Sequence, residues 1–197
     1  MANPEILPKL YQTGDEVKGL MWELDRVKDV PGDLIEVGVM WGGSARLIRQ
    51  ATKKPFYLFD TFTGLPDIID YRYDSITYSF GTMSVDLDEV QKYFKKYNNV
   101  FIYPGIFPDK TGKFVKDKKF SFVHLDVDIY KSTKEALKFL YPKVSSGGSI
   151  VIHDYPAHRG VKKAVDEFMK SRGSFKEENG KDFMINEQLR QIIIRKK

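Results

Sequence analysis

Apolar stretches of strand length alternate along this chain with segments whose apolar residues recur at helical spacing, and this alternation restricts the fold more than any other feature. Strands that alternate with helices build a mostly parallel sheet with helices on both faces, so the pattern predicts an α/β fold. The predicted strands cover residues 34–39, 55–60, 100–103, 120–126 and 148–153, and the predicted helices cover residues 16–28, 44–51, 84–97, 132–140 and 160–171. Two further apolar stretches, at 183–185 and 191–194, predict a closing antiparallel hairpin.

Size and composition indicate a small globular protein. With 197 residues, of which 42% are hydrophobic, we predict a single domain over 1–197 that starts with a helical segment at 1–31. The absence of cysteine excludes disulfides and thiolate metal ligands. No apolar stretch approaches the roughly 20 residues of a membrane helix. Residues 1–16 also lack the pattern of a signal peptide, so we expect a cytoplasmic protein.

The net charge of +5 raises the question of nucleic-acid binding. The basic residues are interleaved with acids, as in the segment 116–119, and mixed runs of this kind are typical of solvated surfaces. We therefore expect neither a nucleic-acid partner nor a membrane partner. A homodimer is one assembly that the sequence allows.

The stretch 61–83 is long, irregular and rich in aromatic and acidic residues. A loop of this length within a compact domain is often functional, so we predict a lid over a binding pocket. The alternative is a surface loop with a local hydrophobic cluster. As a lid, the stretch would line the pocket with its aromatic side chains, namely Phe62, Tyr71, Tyr73, Tyr78 and Phe80.

A glycine-rich turn connects the first predicted strand of the sheet to a helix. It contains Glu36, Gly38, Gly42 and Ser44. The free N–H groups at the start of a helix attract a negative group, and glycines let a ligand approach the backbone. A carboxylate could bind there while Glu36 accepts from an ammonium group, which together suit an amino-acid moiety. Alternatively, the glycines only permit a tight turn.

Asp60 ends the second predicted strand of the sheet, roughly 20 residues after the glycine turn, where an acid can bind the two hydroxyls of a ribose. On its own it could equally be a helix cap or a loop acid. Combined with the glycine turn, it favours a ligand that contains adenosine.

Acidic and histidine side chains follow two later strands. Asp126 and Asp128 come after one buried stretch, and His153 and Asp154 follow the next. Because ligands of open α/β sheets bind beyond the carboxyl ends of the strands, we expect these groups to converge and to hold a divalent metal. The alternative is that Asp128 and Asp154 cap the helices that follow them.

Four segments between residues 32 and 168 resemble the macrocin O-methyltransferase (TylF-like) family of class I S-adenosylmethionine-dependent methyltransferases. They are GDLIEVGVMWGGSARL, LFDTFTGLP, FVHLDVDIYKSTKEALKFLYPKVSSGGSIVIHDY and GVKKAVDEF. The spacing in the glycine turn is also similar to that of catechol O-methyltransferases. The resemblance implies a Rossmann-like sheet and metal-assisted transfer of a methyl group to a hydroxyl of a small molecule. The expected acceptor is a sugar or other diol in a glycoside or natural-product pathway.

The resemblance also implies a role for each matched residue. The methionine part of S-adenosylmethionine would be held by the glycine turn, namely by Glu36, Gly38, Gly42 and Ser44. Asp60 would bind the ribose, and Ser84, the predicted N-cap of the helix at 84–97, would lie near the adenine. Asp126 and Asp154 would be metal ligands, and Asp128 would be the general base.

One position departs from the family pattern, which usually has two aspartates where this chain has His153 and Asp154. Carboxylates and water suit Mg²⁺, whereas a histidine ligand favours Mn²⁺ or another transition metal. We expect His153 to be a third ligand. The alternative places it behind the ligands, where it orients them or shuttles protons.

Two other functions fit parts of the sequence. The first is an enzyme of the same fold with different chemistry, similar to cephalosporin-hydroxylase-like proteins. The second is a non-catalytic module that binds an adenosyl ligand or RNA, which only the basic charge favours. The acids at the strand ends argue against RNA, because they would repel a phosphate backbone.

Overall fold

The computed structural model of this protein describes residues 8–172, 183–186 and 190–197. The α-helices of these residues are α1 (Gly14–Arg26), α2 (Gly43–Ala51), α3 (Leu87–Phe94), α4 (Tyr130–Leu140) and α5 (Arg159–Ser171). The strands are β1 (Asp33–Val37), β2 (Phe56–Asp60), β3 (Val100–Pro104), β4 (Phe120–Leu125), β5 (Val144–His153), β6 (Phe183–Asn186) and β7 (Gln191–Arg195). Within the described ranges, no helix has the length and apolar character needed to cross a membrane.

The strands form one sheet in the order β3-β2-β1-β4-β5-β7-β6. Strands β1 to β5 run parallel, β7 is antiparallel to β5, and β6 is antiparallel to β7. This confirms the predicted α/β sheet, mostly parallel with a C-terminal antiparallel hairpin. The strand order reverses between β1 and β4, and in open α/β sheets a crevice forms at such a point, at the carboxyl ends of the strands.

Helices cover both faces of the sheet because consecutive residues of a strand point to opposite sides. On one face, Leu34 and Phe122 pack in a cluster that includes Leu20 of α1 and Ile48 of α2. On the other face, the neighbouring strand residues Ile35 and Val123 pack in a second cluster, to which α4 and α5 contribute Leu137 and Val165. These central strand positions are buried, so the strands that position the carboxyl edge are held by both clusters.

The predicted helix starts differ from the structure by one to three residues. Helix α1 begins earlier, at Gly14, because Thr13 and Glu16 form a reciprocal capping box. Helix α3 begins later than predicted: its N-cap is Asp86, whose side chain accepts from the backbone N–H of Asp88 at 2.9 Å. The prediction that Ser84 caps this helix is therefore wrong. Of the predicted helical segment at 1–31, residues 1–7 lie outside the described residues.

A buried ionic network joins α1 to the closing strands. Glu23 is fully buried and accepts from Arg26 Nε at 2.6 Å, from Arg195 at 2.9 Å and from the hydroxyl of Ser149. Burial alone would raise the pKa of Glu23, but the hydrogen bonds from Arg195, Ser149 and Arg26 outweigh it and lower the pKa. The ionised carboxylate thus connects the first helix to β5 and β7.

Candidate active site

A cavity of about 480 Å³ lies at the carboxyl ends of β1, β2, β4 and β5. Its volume is in the range of sites that enclose small ligands and cofactors. The glycine turn and Asp60 line it together with the residues that follow β4 and β5. The structure therefore brings the separately predicted parts of the site together around one space.

Both turn glycines are required by close packing. Gly38 has φ +90°, and a Cβ atom there would lie 1.6 Å from the carbonyl oxygen of Asp126. Gly42 has φ +79° and forms the N-cap of α2, where a Cβ atom would lie 2.9 Å from the ring of Phe94. The predicted alternative, in which the glycines permit a tight turn, thus has direct support, while Gly38 also lines the cavity.

Glu36 lies beneath the turn rather than on the cavity wall. It is fully buried, accepts from Ser44 Oγ at 2.5 Å, and its Oε1 lies 3.2 Å from Nδ1 of His124. Its Oε2 atom has no hydrogen-bond partner among the described residues. A buried carboxylate oxygen of this kind has capacity left for a donor such as an ammonium group.

Asp60 organises the glycine turn. Its Oδ2 accepts from the backbone N–H groups of Val39 and Met40, both at 2.7 Å, and its Oδ1 accepts from the N–H of Phe62 at 2.8 Å. Asp60 also lines the cavity. The acid predicted to bind a ribose therefore also holds the turn in shape.

The segment after β3 contributes a wall that sequence reasoning missed. Gly105, Ile106 and Phe107 line the cavity, and the N–H of Gly105 donates to the carbonyl of Asp60 at 2.8 Å. In the sequence, the Pro-Gly pair that follows the predicted strand at 100–103 could have indicated this wall. Ser84, expected near the adenine, is exposed and is not among the residues that line this cavity.

Three predicted metal ligands converge after β4 and β5. Asp126, His153 and Asp154 each offer a ligand atom, and these atoms lie within 4.8 Å of one another. Nδ1 of His153 is 3.3 Å from an oxygen of each aspartate, and its Nε2 is 3.3 Å from Oε1 of Glu16. Two carboxylates and an imidazole form a donor set that suits a divalent cation.

The charges of this cluster stabilise each other. Burial alone would lower the pKa of His153, but the carboxylates of Asp126 and Asp154 outweigh it and raise the pKa to about 11. Burial would raise the pKa of Asp126, and the positive charge of His153 lowers it instead. These carboxylates therefore favour the protonated ring, and a cation that used Nδ1 would have to displace a proton there.

Asp128, the predicted general base, lines the same cavity two residues after Asp126. Its backbone has φ +59°, a conformation that is uncommon for residues other than glycine and that often occurs at functional sites. Burial, together with the negative charges of Asp126 and Asp154, raises its pKa well above the ordinary value.

His158 and Arg190 belong to the site although sequence reasoning did not select them. Nδ1 of His158 lies 3.2 Å from Asp154 and 3.8 Å from Asp128. Arg190 donates to Oδ1 of Asp154 at 2.6 Å and precedes β7, whose first residue, Gln191, pairs with His153. The predicted hairpin indicated that Arg190 lies next to a closing strand. Only the pairing of that strand with β5 shows that Arg190 reaches the site.

The stretch 61–83 is attached to the start of two helices. Asp74 is buried, its Oδ1 accepts from the N–H of Tyr130 at 2.7 Å, and a Cβ atom at Gly160 would lie 1.9 Å from the same oxygen. The carboxylate of Asp74 thus caps the N-terminus of α4, which has no side-chain cap of its own. The same carboxylate lies against the N-terminus of α5. Residues at both ends of the stretch, including Leu65 and Met83, line the cavity.

The expectation that the aromatic residues of this stretch line the pocket is wrong for the described structure. Phe62 is buried in the hydrophobic core, and Tyr71 and Phe80 are exposed. Tyr73 packs against the ring of Tyr130, and the hydroxyl of Tyr78 lies 3.1 Å from Nδ1 of His158. Phe62, Tyr73 and Tyr78 fix the segment to its surroundings instead.

Two curated relatives are O-methyltransferases of Streptomyces. The demethyldecarbamoylnovobiocin O-methyltransferase of Streptomyces niveus is 32% identical over 71% of this chain and 59% of the relative. A tetracenomycin-pathway 4'-O-methyltransferase of Streptomyces olivaceus is 33% identical over 64% of this chain and 54% of the relative. The chain therefore spans less than two thirds of the length of either relative.

Solved structures share the fold. The O-methyltransferase NovP superposes with a TM-score of 0.68 at 24% identity, covering 91% of this chain and 78% of that one. A calicheamicin methyltransferase gives a TM-score of 0.72 at 16% identity, covering 92% and 78%. The sequence model of macrocin O-methyltransferase (TylF) matches residues 16–180, which include the glycine turn, Asp60 and the acidic cluster. The chain belongs to the macrocin O-methyltransferase (TylF) family.

Proposed function

We propose that this protein is an S-adenosylmethionine-dependent O-methyltransferase that acts on a hydroxyl of a small molecule. The observation that carries the proposal is one cavity that is lined both by Gly38 of the glycine turn and Asp60 and by Asp126, Asp128 and Asp154. A methyl donor and a hydroxyl acceptor can meet in that space. The names of the relatives support the reaction, since each is an O-methyltransferase.

The cavity fits the cofactor. Its volume is sufficient for a small ligand, the unpartnered oxygen of Glu36 lies beneath the turn, and Asp60 keeps the backbone of Val39 and Met40 in place. The apolar wall formed by Ile106 and Phe107 suits an aromatic base. When bound, S-adenosylmethionine supplies an activated methyl group on its sulfonium.

The donor set also fits a divalent metal, which we propose is held by Asp126, Asp154 and His153. A bound cation would supply positive charge that lowers the pKa of a hydroxyl. One relative of the same fold, the MycE methyltransferase, was solved with Mg, SAH and mycinamycin VI, at a TM-score of 0.54 and 14% identity over 86% of this chain and 46% of that one. That complex supports the metal and the hydroxyl-bearing natural-product acceptor proposed here.

The residues of this chain then have distinct tasks. The turn at Gly38 and Asp60 orients the methyl donor, and positioning of this kind can supply most of the acceleration when the donor is already activated. Asp128 accepts the proton of the acceptor hydroxyl. The hydroxyl oxygen forms a bond to the methyl carbon as the bond from that carbon to sulfur breaks, which leaves S-adenosylhomocysteine. The stretch 61–83 excludes water from the reacting atoms.

We propose a sugar or another vicinal diol as the acceptor. The mycinamicin III relative of Micromonospora griseorubida is named as a 3''-O-methyltransferase, 29% identical over 73% of this chain and 63% of the relative. Two neighbouring hydroxyls can approach the acidic cluster from the open cavity, whereas a single hydroxyl uses only part of it. A diol therefore fits the site better than a simple alcohol.

Two measurements test the proposal. A screen of sugar, catechol and flavonoid acceptors with labelled methyl donor should find transfer, and Asp128→Asn should lower kcat by about 10²–10⁴-fold, the usual contribution of a general base. Calorimetry should show S-adenosylmethionine binding that Asp60→Asn weakens by about 1–3 kcal/mol. Asp67→Asn, an exposed acid on the nearby stretch, is the control and should bind normally. Absence of binding by both S-adenosylmethionine and S-adenosylhomocysteine would reject the proposal.

A further inference from the structure

A carboxylate of helix α1 reaches the acidic cluster at the carboxyl edge of the sheet. Glu16 lies in the first turn of α1, yet only 3% of its surface is exposed. Its Oε1 lies 3.3 Å from Nε2 of His153. Helix α1 thus contributes a side chain to a site that is otherwise built from the ends of β4, β5 and the closing hairpin.

The two nitrogens of the His153 ring face different groups. Nε2 faces Glu16, whereas Nδ1 lies 3.3 Å from Oδ1 of Asp126 and 3.3 Å from Oδ1 of Asp154. The ring therefore bridges a carboxylate that lies outside the proposed metal site and two carboxylates that form it. Only Nδ1 is placed to share a cation with the aspartates.

The position of Glu16 is fixed from its other side. Its Oε2 accepts from the backbone N–H of Thr13 at 2.6 Å, while its own N–H donates to Thr13 Oγ1 at 3.4 Å. One carboxylate oxygen thus closes the capping box, and the second remains for His153. Because the side chain is buried, Glu16 cannot turn into solvent without breaking both contacts.

We propose that Glu16 is a positioning residue: its 3.3 Å contact with Nε2 of His153, which lacks hydrogen-bond geometry in this structure, becomes an N–H donation to Glu16 when Nδ1 binds a divalent cation together with Asp126 and Asp154. The inference rests on the metal site of the proposed function and adds a residue to it. Histidines that bind metals commonly donate their second ring N–H to a carboxylate, which fixes the tautomer and the ring orientation. On this assignment His153 is a ligand and not a proton shuttle.

Glu16→Gln is a selective test, because glutamine can also fill the capping box but carries no negative charge. We expect Mn²⁺ affinity, measured by calorimetry on the full chain, to fall about 10–100-fold, the usual cost of losing such a partner. Thr13→Ala is the matched control. It removes the hydroxyl of the cap, leaves the backbone donor to Glu16 in place, and should bind Mn²⁺ as the unchanged protein does.

Pulsed electron paramagnetic resonance of bound Mn²⁺ provides a second readout. The unchanged protein should show coupling to a histidine nitrogen that His153→Gln abolishes, and Glu16→Gln should weaken or alter this coupling. Unchanged Mn²⁺ affinity in Glu16→Gln, or the absence of nitrogen coupling from His153, would overturn the inference. So would a protein that binds no Mn²⁺. That last result leaves the methyl-transfer proposal to be decided by cofactor binding and by transfer of labelled methyl in the presence of chelator.

Discussion

Arg190 donates a hydrogen bond of 2.6 Å to Oδ1 of Asp154, so a guanidinium lies on one of the three proposed metal ligands. The same guanidinium lies 3.3 Å from Nε2 of His158. Its charge offsets the negative charge of Asp154, and a divalent cation has to compete with it for the same oxygen.

Replacement of Arg190 by glutamine should therefore strengthen metal binding. Removing the competing positive charge is expected to raise Mn²⁺ affinity about tenfold, which corresponds to ~1.4 kcal/mol. Calorimetry with Arg159→Gln as the control checks the effect, because Arg159 is exposed at the start of α5 and should leave affinity unchanged. Weaker Mn²⁺ binding in Arg190→Gln would mean that the guanidinium supports the metal site.

His153→Asp should change which metal supports the proposed methyl transfer. A third carboxylate favours Mg²⁺ and an imidazole favours softer ions, so we expect the preference to shift from Mn²⁺ or Co²⁺ toward Mg²⁺. Rates of labelled methyl transfer with each metal, after treatment with chelator, measure the shift. A lower rate with the same metal preference would instead support a proton-shuttling role. Turnover that survives chelator would exclude a required metal.

Asp74→Ala should loosen the stretch 61–83. The change leaves the N–H of Tyr130 without its acceptor and is expected to destabilise the fold by about 1–2 kcal/mol, the scale of a lost helix cap. Hydrogen exchange in this stretch should accelerate in the variant, and in the unchanged protein it should slow when cofactor and acceptor bind. Exposed Asp67 provides the control as Asp67→Ala. Equal exchange with and without ligands would contradict the role as a lid.

The Glu23 network should make stability depend on acid pH. Since the pKa of Glu23 is lowered on folding, its contribution is complete above its ordinary value of 4.5 and is lost as the pH falls through the lowered pKa. Glu23→Gln should reduce the free energy of unfolding by about 3 kcal/mol at pH 7, because it breaks a buried charge network. Urea unfolding from pH 3 to pH 7 should show that the free energy of unfolding falls less steeply with acid in the variant than in the unchanged protein. If the two pH curves are parallel, groups other than Glu23 cause the loss of stability in acid.

Local patterns were sufficient to predict the sheet and its helices, but not every helix boundary. Serine and aspartate are both strong N-caps, and α3 uses Asp86 where Ser84 was predicted. The side chain of Asp86 binds the N–H of Asp88, and Phe94 at the end of the same helix lies against the turn at Gly42. That packing is tertiary and cannot be read from the segment itself.

The acids that follow buried strands were predictable because parallel strands end at one edge of a sheet. Glu16 was not, since in sequence it is an ordinary member of a capping box. Its contact with His153 depends on how α1 crosses the sheet, and the contact of Arg190 with Asp154 depends on the register of β7 beside β5. Such residues become visible only when the packing of distant elements is known.

The close approach at Gly38 restricts how this protein can change over evolution or by design. No side chain fits between Gly38 and the carbonyl of Asp126, so the glycine turn and the residue that follows β4 are packed directly against each other. A substitution that enlarges the turn would also shift the acids that follow β4. The glycine turn and these acids therefore cannot be changed independently at this point. Variation in acceptor choice is therefore best sought elsewhere in the cavity, in the wall formed by Leu65 and Met83.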